Sequence, residues 1–518
     1  MALHFHNGPI YLGDAIWANE IFVANGRVIS HEDFLASSEQ DSINLQGNCL
    51  LPAFRDGHAH PLFAGKEIST LDVSSCKTLD EIGQNLLKFR QDNPTLNWIS
   101  GGAYDRSLVT GQSHFFLDKY ISDVPVVLHA DDHHTIWVNA KALEVAGLHA
   151  AALPNLRTGS IDIDGEGNPT GFLREFEATQ LVQQFAPKDS LDQRLNHLIA
   201  AEKLLLQAGI VEVQDAWIDE GMAEVFIAAS AKLQLDYKLL LRADPLEPER
   251  VFNYFNTVEE AVKNTRNLKI QGIKFFIDGV FGSATALVSS PYLSTSKFGD
   301  CNWEFESLQI AISQAHQLGL QVHLHAIGDA GIAYALKAID QAEPGPLPAV
   351  IAHAELTSAA LLQEAKRLNV TLCMQPFWAQ ENSMLLSCVQ HIGHPRVKQL
   401  YAMKDILASG INLAFGSDWP VSSYKPIEGI AVAVYRRSNS MMNQHNPDQA
   451  ISLDQAIDCY TNGVSRMLGN STSGKLTVGQ QFDAVLIEGD LREKNLDELF
   501  STEVLSVYKS GTKLLPHN

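Results

Sequence analysis

The sequence predicts an α/β barrel set into a small β domain drawn from both ends of the chain. Three observations carry this. The middle of the chain alternates strand-like apolar runs with helix-like stretches, the pattern of parallel strands joined by crossover helices. Several of those runs end in a polar, reactive side chain, as strands do at the open end of a barrel. Residues 1–53 and about the last 45 read instead as short strands and tight turns.

The N-terminal part opens the argument. Ile21–Ala24, then Asn25-Gly26, then Arg27–Ile29 is a hairpin signal, because Asn-Gly suits the two-residue primed turn. Near the other end, Asp483–Ile487 is a short apolar run and Glu503–Lys509 alternates. The expected organisation is therefore residues 1–53 as the N-terminal part of a β-sandwich, 54–450 as a barrel, and 451–518 as a helix and the rest of the sandwich.

Within the barrel, Gln271–Asp278 holds Lys274, Gln321–His325 ends in His325, Val350–Glu355 holds His353 and Leu413–Asp418 ends in Asp418. Side chains alternate in each run. Ile273, Phe275 and Ile277 share the face that would pack on outer helices, while Ala414, Gly416 and Asp418 share the inner one. His325 and His353 stand far enough apart in the chain for a loop, a helix and the next strand. Helix-like runs fill such gaps, as in Ala330–Ala342 and Ala359–Leu368. The interval from His60 to Lys274 is much longer than two further strand–helix units need, so an insertion is expected within about 66–200.

The most informative local feature is the H-x-H pair His58 and His60 in Leu-Pro-Ala-Phe-Arg-Asp-Gly-His-Ala-His-Pro, residues 51–61. At the end of an apolar run, both imidazoles fall on one strand face, where they can hold a borderline-soft divalent metal such as zinc. His323 shares a face with His325 but lies deeper, which suits a structural role. Asp329 is placed to cap the helix after its strand.

Composition narrows the class. Hydrophobic residues at 45% and charged residues at 19% fit a soluble protein with a large core. A net charge of −22 without a dense Lys/Arg run argues against a nucleic-acid surface. The six cysteines form no C-x-x-C and are too sparse for a disulfide scaffold. The N-terminus carries no basic segment followed by an apolar core, and no window approaches ~18 consecutive apolar residues. A cytoplasmic protein with no membrane partner is the expectation.

Longer motifs surround these residues. Pro52-Ala53-Phe54-Arg55-Asp56-Gly57-His58-Ala59-His60 is followed by Asp132-His133-His134-Thr135-Ile136-Trp137-Val138-Asn139, by Ile273-Lys274 through Asp278-Gly279-Val280-Phe281-Gly282-Ser283, by His325–Asp329 and by Gly416–Val421. In these motifs, over nearly its whole length, the chain resembles the amidohydrolase superfamily, specifically the amidohydrolase-3 group that includes YtcJ-like proteins and N-substituted formamide deformylases. Ala53 and His133 stand where that group usually has glycine.

The resemblance implies a distorted (β/α)8 TIM barrel with a divalent metal centre, zinc by its ligand types, one or two ions per chain. It implies His58 and His60 on one metal and His325 and His353 on the other. Lys274, carboxylated on its side-chain nitrogen, would bridge them, and Asp418 would contact metal and water. A lysine paired with a carboxylate such as Asp278 would leave a mononuclear site instead. Asp418 would act as general base and then acid, with His134 polarising the scissile carbonyl. Asn139, Phe377, Trp378 and Trp419 are the expected substrate-side residues; the other reading of Asn139 is a loop support, and that of the aromatic residues is packing at the barrel mouth.

The function these residues predict is metal-dependent hydrolysis of a C–N bond in a small amide, N-formyl or N-acyl compound; the resemblance implies a homodimer. One alternative is a deaminase on a related barrel, although Gly328 stands where such enzymes carry glutamate. The other is a non-catalytic barrel scaffold, although no expected ligand is missing.

Overall fold

A computed structural model describes residues 2–130, 135–156 and 159–515. Eight strands form the barrel: β1 (Phe54–Ala59), β2 (Ile210–Ile218), β3 (Asp236–Arg242), β4 (Leu268–Phe276), β5 (Gln321–Ala326), β6 (Val350–His353), β7 (Thr371–Met374) and β8 (Leu413–Phe415). Each pairs in parallel with the next in chain order. The circle closes just beyond β8 and β1. There Asp418 N–H donates to His58 O at 2.7 Å and His60 N–H donates to Trp419 O at 2.8 Å. This is the (β/α)8 architecture the sequence predicted, and its closure runs through four candidate site residues.

The alternation of side chains holds along the strands. Ile273, Phe275 and Ile277 are fully buried, and Phe275 meets Trp303 with ring centroids 5.4 Å apart. The helix between β3 and β4, Glu249–Lys263, buries Val251, Phe252, Phe255, Val258 and Val262, the spacing of one helical face. Each such side chain contributes about 1.5–3 kcal/mol when fully buried. The helices expected after β5 and β6 run Asp329–Gln341 and Ala359–Arg367. Ser358 caps the second by accepting from Leu361 N–H, which satisfies one of the free donors of a helix start.

The barrel interior is polar at depth and its polar groups are tied together. Gln214 of β2 donates to Gln321 of β5 at 3.1 Å, and Gln321 donates to Met467 O at 2.7 Å at the end of helix Asn462–Met467. Gln271 of β4 donates to Leu468 O at 3.2 Å. These amides pair with free C-terminal carbonyls of the helix, which would otherwise be buried unsatisfied.

Both termini enter one eight-stranded sheet. Its order is Thr512–Leu515, Val504–Lys509, Ala484–Ile487, Cys49–Pro52, Ala2–Gly13, Ile16–Ala24 and Arg27–Ile29, with Gln40–Asn44 alongside Ala2–Gly13. The hairpin signal is realised. Ala24 pairs Arg27 across Asn25 and Gly26, and both turn residues take positive φ, as a type I′ turn requires. Cys49–Pro52 leads directly into β1. Arg55 of β1, fully buried, bridges barrel and sheet: Nε is 3.0 Å from Glu212 of β2 and Nη2 is 2.8 Å from Asp483.

The chain divides into two compact units, 1–61 with 202–518, and Leu62–Ala201. The second therefore departs from the chain between β1 and β2. It contains its own six-stranded sheet, ordered Ser160–Ile163, Pro169–Arg174, Thr135–Val138, Val126–Ala130, Ile99–Tyr104 and Leu71–Asp72. Trp137 packs with Tyr104, Ile82 and Leu86 in one cluster, while Ile136, Val138 and Leu173 join another. This is the alternation of a sheet covered on both faces. Among the described residues, no helix is long and apolar enough to cross a membrane.

Candidate metal centre

The C-terminal ends of β1, β4, β5, β6 and β8 deliver the candidate ligands into one buried site. His58, His353 and Asp418 form its tightest group, each offering a ligand atom within 4.8 Å of the others. Asp418 Oδ1 lies 3.3 Å from His58 Nε2 and 2.9 Å from His60 Nε2. The H-x-H rings stand 5.4 Å apart and nearly perpendicular, at 84°. Lys274 Nζ lies 3.5 Å from His58 Nε2. His325 stands beside His353, ring centroids 4.5 Å apart, but its Nε2 lies 3.3 Å from Gly279 O. The structure thus brings all six together, with His325 turned toward a backbone carbonyl.

The local sequence explains the geometry. Asp56 Oδ1 accepts from His58 N–H and from Ser417 N–H, both at 3.0 Å, which locks the end of β1 to the loop carrying Asp418. Gly416 is required by contact: a Cβ there would lie 2.6 Å from His58 N and 3.0 Å from its Cα. His353 and Asp418 both take positive φ, a conformation that functional sites often hold under strain.

Three further residues support the site. His323 Nε2 lies 2.9 Å from His58 Nδ1, so its role as an interior group is to back a candidate ligand. Gln375 Oε1 accepts from His353 Nδ1 at 2.7 Å. Asp215, buried at the end of β2, has Oδ1 3.8 Å from His60 Nδ1. His323 is legible beside His325 as a deeper, structural residue, whereas Asp215 and Gln375 are lone polar residues whose only sequence clue is an inward position near a strand end.

The electrostatics follow from burial. Desolvation lowers Lys274 to about 7, so about half of its amine is neutral near neutral pH. Burial, then the Lys274 charge, holds His58 well below its ordinary value and His325 at about 3. Burial and the neighbouring His325 do the same to His353. Burial also opposes the His60 cation, but the nearby Asp215 and Asp418 carboxylates outweigh it and raise His60 to about 9 in the metal-free protein. Asp418 is held below the usual carboxylate range: burial raises it, and His60 more than offsets this.

Other expectations need correcting. Asp278 does not pair with Lys274; it accepts from Leu287 N–H at 2.9 Å and from Ile327 and Gly328 N–H at 3.0 Å. Asp329 is the first residue of its helix rather than the cap, and its carboxylate accepts from Ser289 N–H at 2.9 Å. Asn139 does not present its amide to a ligand. Its Oδ1 accepts from Val126 N–H and Ala142 N–H, and its Nδ2 donates to Ile121 O and Val124 O. It therefore holds a loop and caps a helix. His134 lies outside the described residues. Trp378 stacks on His353, centroids 5.4 Å apart and planes within 6°. Trp419 is buried beside Asp418, 4.8 Å from the Tyr424 ring, and Phe377 is half-buried in the turn after β7.

Neutral imidazoles and an ionised carboxylate converge here at 4.8 Å or less. They form a nitrogen–oxygen donor set of the kind that takes zinc or another first-row divalent ion. Comparisons with known proteins agree with this arrangement. The chain is 28% identical to putative amidohydrolase YtcJ of Bacillus subtilis (strain 168), across 94% of each chain. It is 23% identical to N-substituted formamide deformylase of Arthrobacter pascens, across 95% of this chain and 94% of that one. The crystal structure of an uncharacterized metal-dependent hydrolase from Pyrococcus horikoshii OT3 superposes with a TM-score of 0.76 at 25% identity, covering 95% of this chain and 98% of that one. The model of the Amidohydrolase family matches residues 41–514, from the terminal sheet through every barrel strand and back, and the chain belongs to that family.

Proposed function

We propose that this protein is a metal-dependent amidohydrolase that cleaves the C–N bond of a small amide, N-formyl or N-acyl compound. The observation that carries the reading is the tight group of His58, His353 and Asp418, with Lys274 buried behind it. These residues, with His60 and His325 beside them, would hold the divalent metal; zinc fits the donor types. When bound, such a metal lowers the pKa of water to about 7 and polarises a carbonyl oxygen.

The chain's own groups supply the proton handling. Asp418 is held below the usual carboxylate range among the site imidazoles, so it is ionised and can accept a proton from the attacking water. The same carboxyl then returns that proton to the leaving nitrogen. Asp215 stands behind His60, its Oδ1 3.8 Å from His60 Nδ1, where it favours a proton on Nδ1 and leaves Nε2 free to face the metal side. Lys274, with a substantial neutral fraction near pH 7, suits reaction with carbon dioxide: a carbamate N–C bond forms, a proton leaves, and the product is an anionic oxygen ligand. Trp378 and Trp419 flank the group and favour an apolar substituent on the substrate.

Deamination fits less well. The Gly328 position has no room for an acid, since a Cβ there would lie 2.0 Å from Leu287 O. The test is hydrolysis of a panel of N-formyl and N-acyl amines and amino acids by the wild type and Asp418→Asn. Turnover of at least one member, abolished in the variant with metal content unchanged, is expected. Full activity in Asp418→Asn removes the proposed role, and ammonia release from an amino-heterocycle with an inert amide panel favours deamination.

A further inference from the structure

The two imidazoles of the tight group are each backed by one interior acceptor. His58 Nδ1 lies 2.9 Å from His323 Nε2, and His353 Nδ1 lies 2.7 Å from Gln375 Oε1. His58 turns Nε2 toward Asp418 and Lys274. A ligating Nε2 must be unprotonated, so the His58 proton sits on Nδ1 and is donated to His323 Nε2. His323 then carries its own proton on Nδ1. Among the described residues that atom is buried without a hydrogen-bond partner, and so is Gln375 Nε2.

Both backing residues are almost fully buried, on β5 and at the end of β7. A buried donor without a partner destabilises the fold that contains it. An apolar side chain of similar size would pack there without that loss. Packing alone therefore does not account for a histidine and a glutamine at these two positions, each hydrogen-bonded to the outer nitrogen of a candidate ligand.

We infer that His323 and Gln375 are positioning residues that fix the tautomer and ring orientation of His58 and His353, at a cost to the stability of the metal-free protein. The inference rests on the proposed metal site. Groups that orient ligating histidines in this way typically change metal affinity about 10–100-fold when removed.

The test measures two quantities on the full chain: melting temperature of the metal-free protein, and zinc affinity by competition with a chromophoric chelator. His323→Met and Gln375→Met should melt at or above the wild-type temperature and bind zinc about 10–100-fold more weakly. His323→Gln, which restores an acceptor oxygen, should recover most of the affinity. Unchanged zinc affinity in the methionine variants overturns the inference. So does a lowered melting temperature or failure to fold, which would make the two residues supports of the core. Zinc binding is read without substrate: a wild type that binds zinc but hydrolyses nothing refutes the proposed function alone, and one that binds no zinc refutes both.

Discussion

Arg55→Ala is predicted to destabilise the unit that carries the site by about 3–5 kcal/mol. Arg55 sits on β1, three residues before His58, and only 2% of it is exposed. Its guanidinium makes three hydrogen bonds: Nε to Glu212 at 3.0 Å, Nη2 to Asp483 at 2.8 Å and Nη1 to Ala53 O at 3.2 Å. Truncation leaves Glu212 with Lys238 at 3.2 Å, but Asp483 Oδ2 loses the partner that faces it. Hydrogen bonds to charged groups contribute about 1.5–3 kcal/mol each, so two lost carboxylate contacts give about 3–6 kcal/mol, in line with breaking a buried ion pair. Urea unfolding followed by tryptophan fluorescence reads this as a lower midpoint at unchanged slope. Arg55→Ala/Asp483→Ala should be more stable than the sum of the single changes implies, because it also removes the stranded carboxylate. A loss below ~1 kcal/mol, or strict additivity, would refute the claim that this bridge pins β1 to the terminal sheet.

Gly416→Ala should lower kcat/KM by roughly tenfold or more, a cost in transition-state stabilisation of about 1.4 kcal/mol. The added methyl meets His58 N at 2.6 Å and displaces the ring; steady-state kinetics with wild-type activity would contradict this. Lys274→Met should abolish the carbamate signal seen by carbon-13 NMR after equilibration with labelled bicarbonate, and should lower metal content and turnover together. Metal-free protein should lose stability as pH falls below about 6.5. His58, His325 and His353 have depressed pKa values when folded, and the loss from His325 runs down to about 3; the unfolded chain binds more protons throughout that range. His60 works in the opposite sense, its raised value contributing stability below about 6.5 that is lost as pH rises through about 9. Thermal melts at intervals from pH 5 to 9 should therefore show a maximum rather than a plateau.

Much of the barrel was legible because its strands carry two signals at once, period-2 burial and a reactive residue at the end. The run holding Lys274 showed both, and the structure gives it β4. Depth was harder to read. His323 and His325 point the same way and differ by two residues along β5, about 6.6 Å. Alternation assigns them one face but cannot say that the deeper ring backs His58. Asp215 and Gln375 were missed for a related reason: a single inward polar residue at a strand end has no spacing of its own, and it gains meaning only when the barrel closes. Asn139 was open between a substrate contact and a loop support. Its motif position suggested a ligand contact, yet four local hydrogen bonds, invisible in the one-dimensional pattern, use up its amide. The unit 62–201 announced itself only as surplus length, because its short strands mix parallel and antiparallel pairings that no single period describes.

The central claim is that hydrolysis depends on a divalent metal held at His58, His353 and Asp418. Its most direct test is elemental analysis of the purified chain, joined to turnover of an N-acyl substrate before chelation, after exhaustive metal removal and after metal is restored. The account predicts at least one divalent ion per chain, activity lost with it and regained on its return. A chain that is shown to be metal-free and still turns over at the full rate would contradict it.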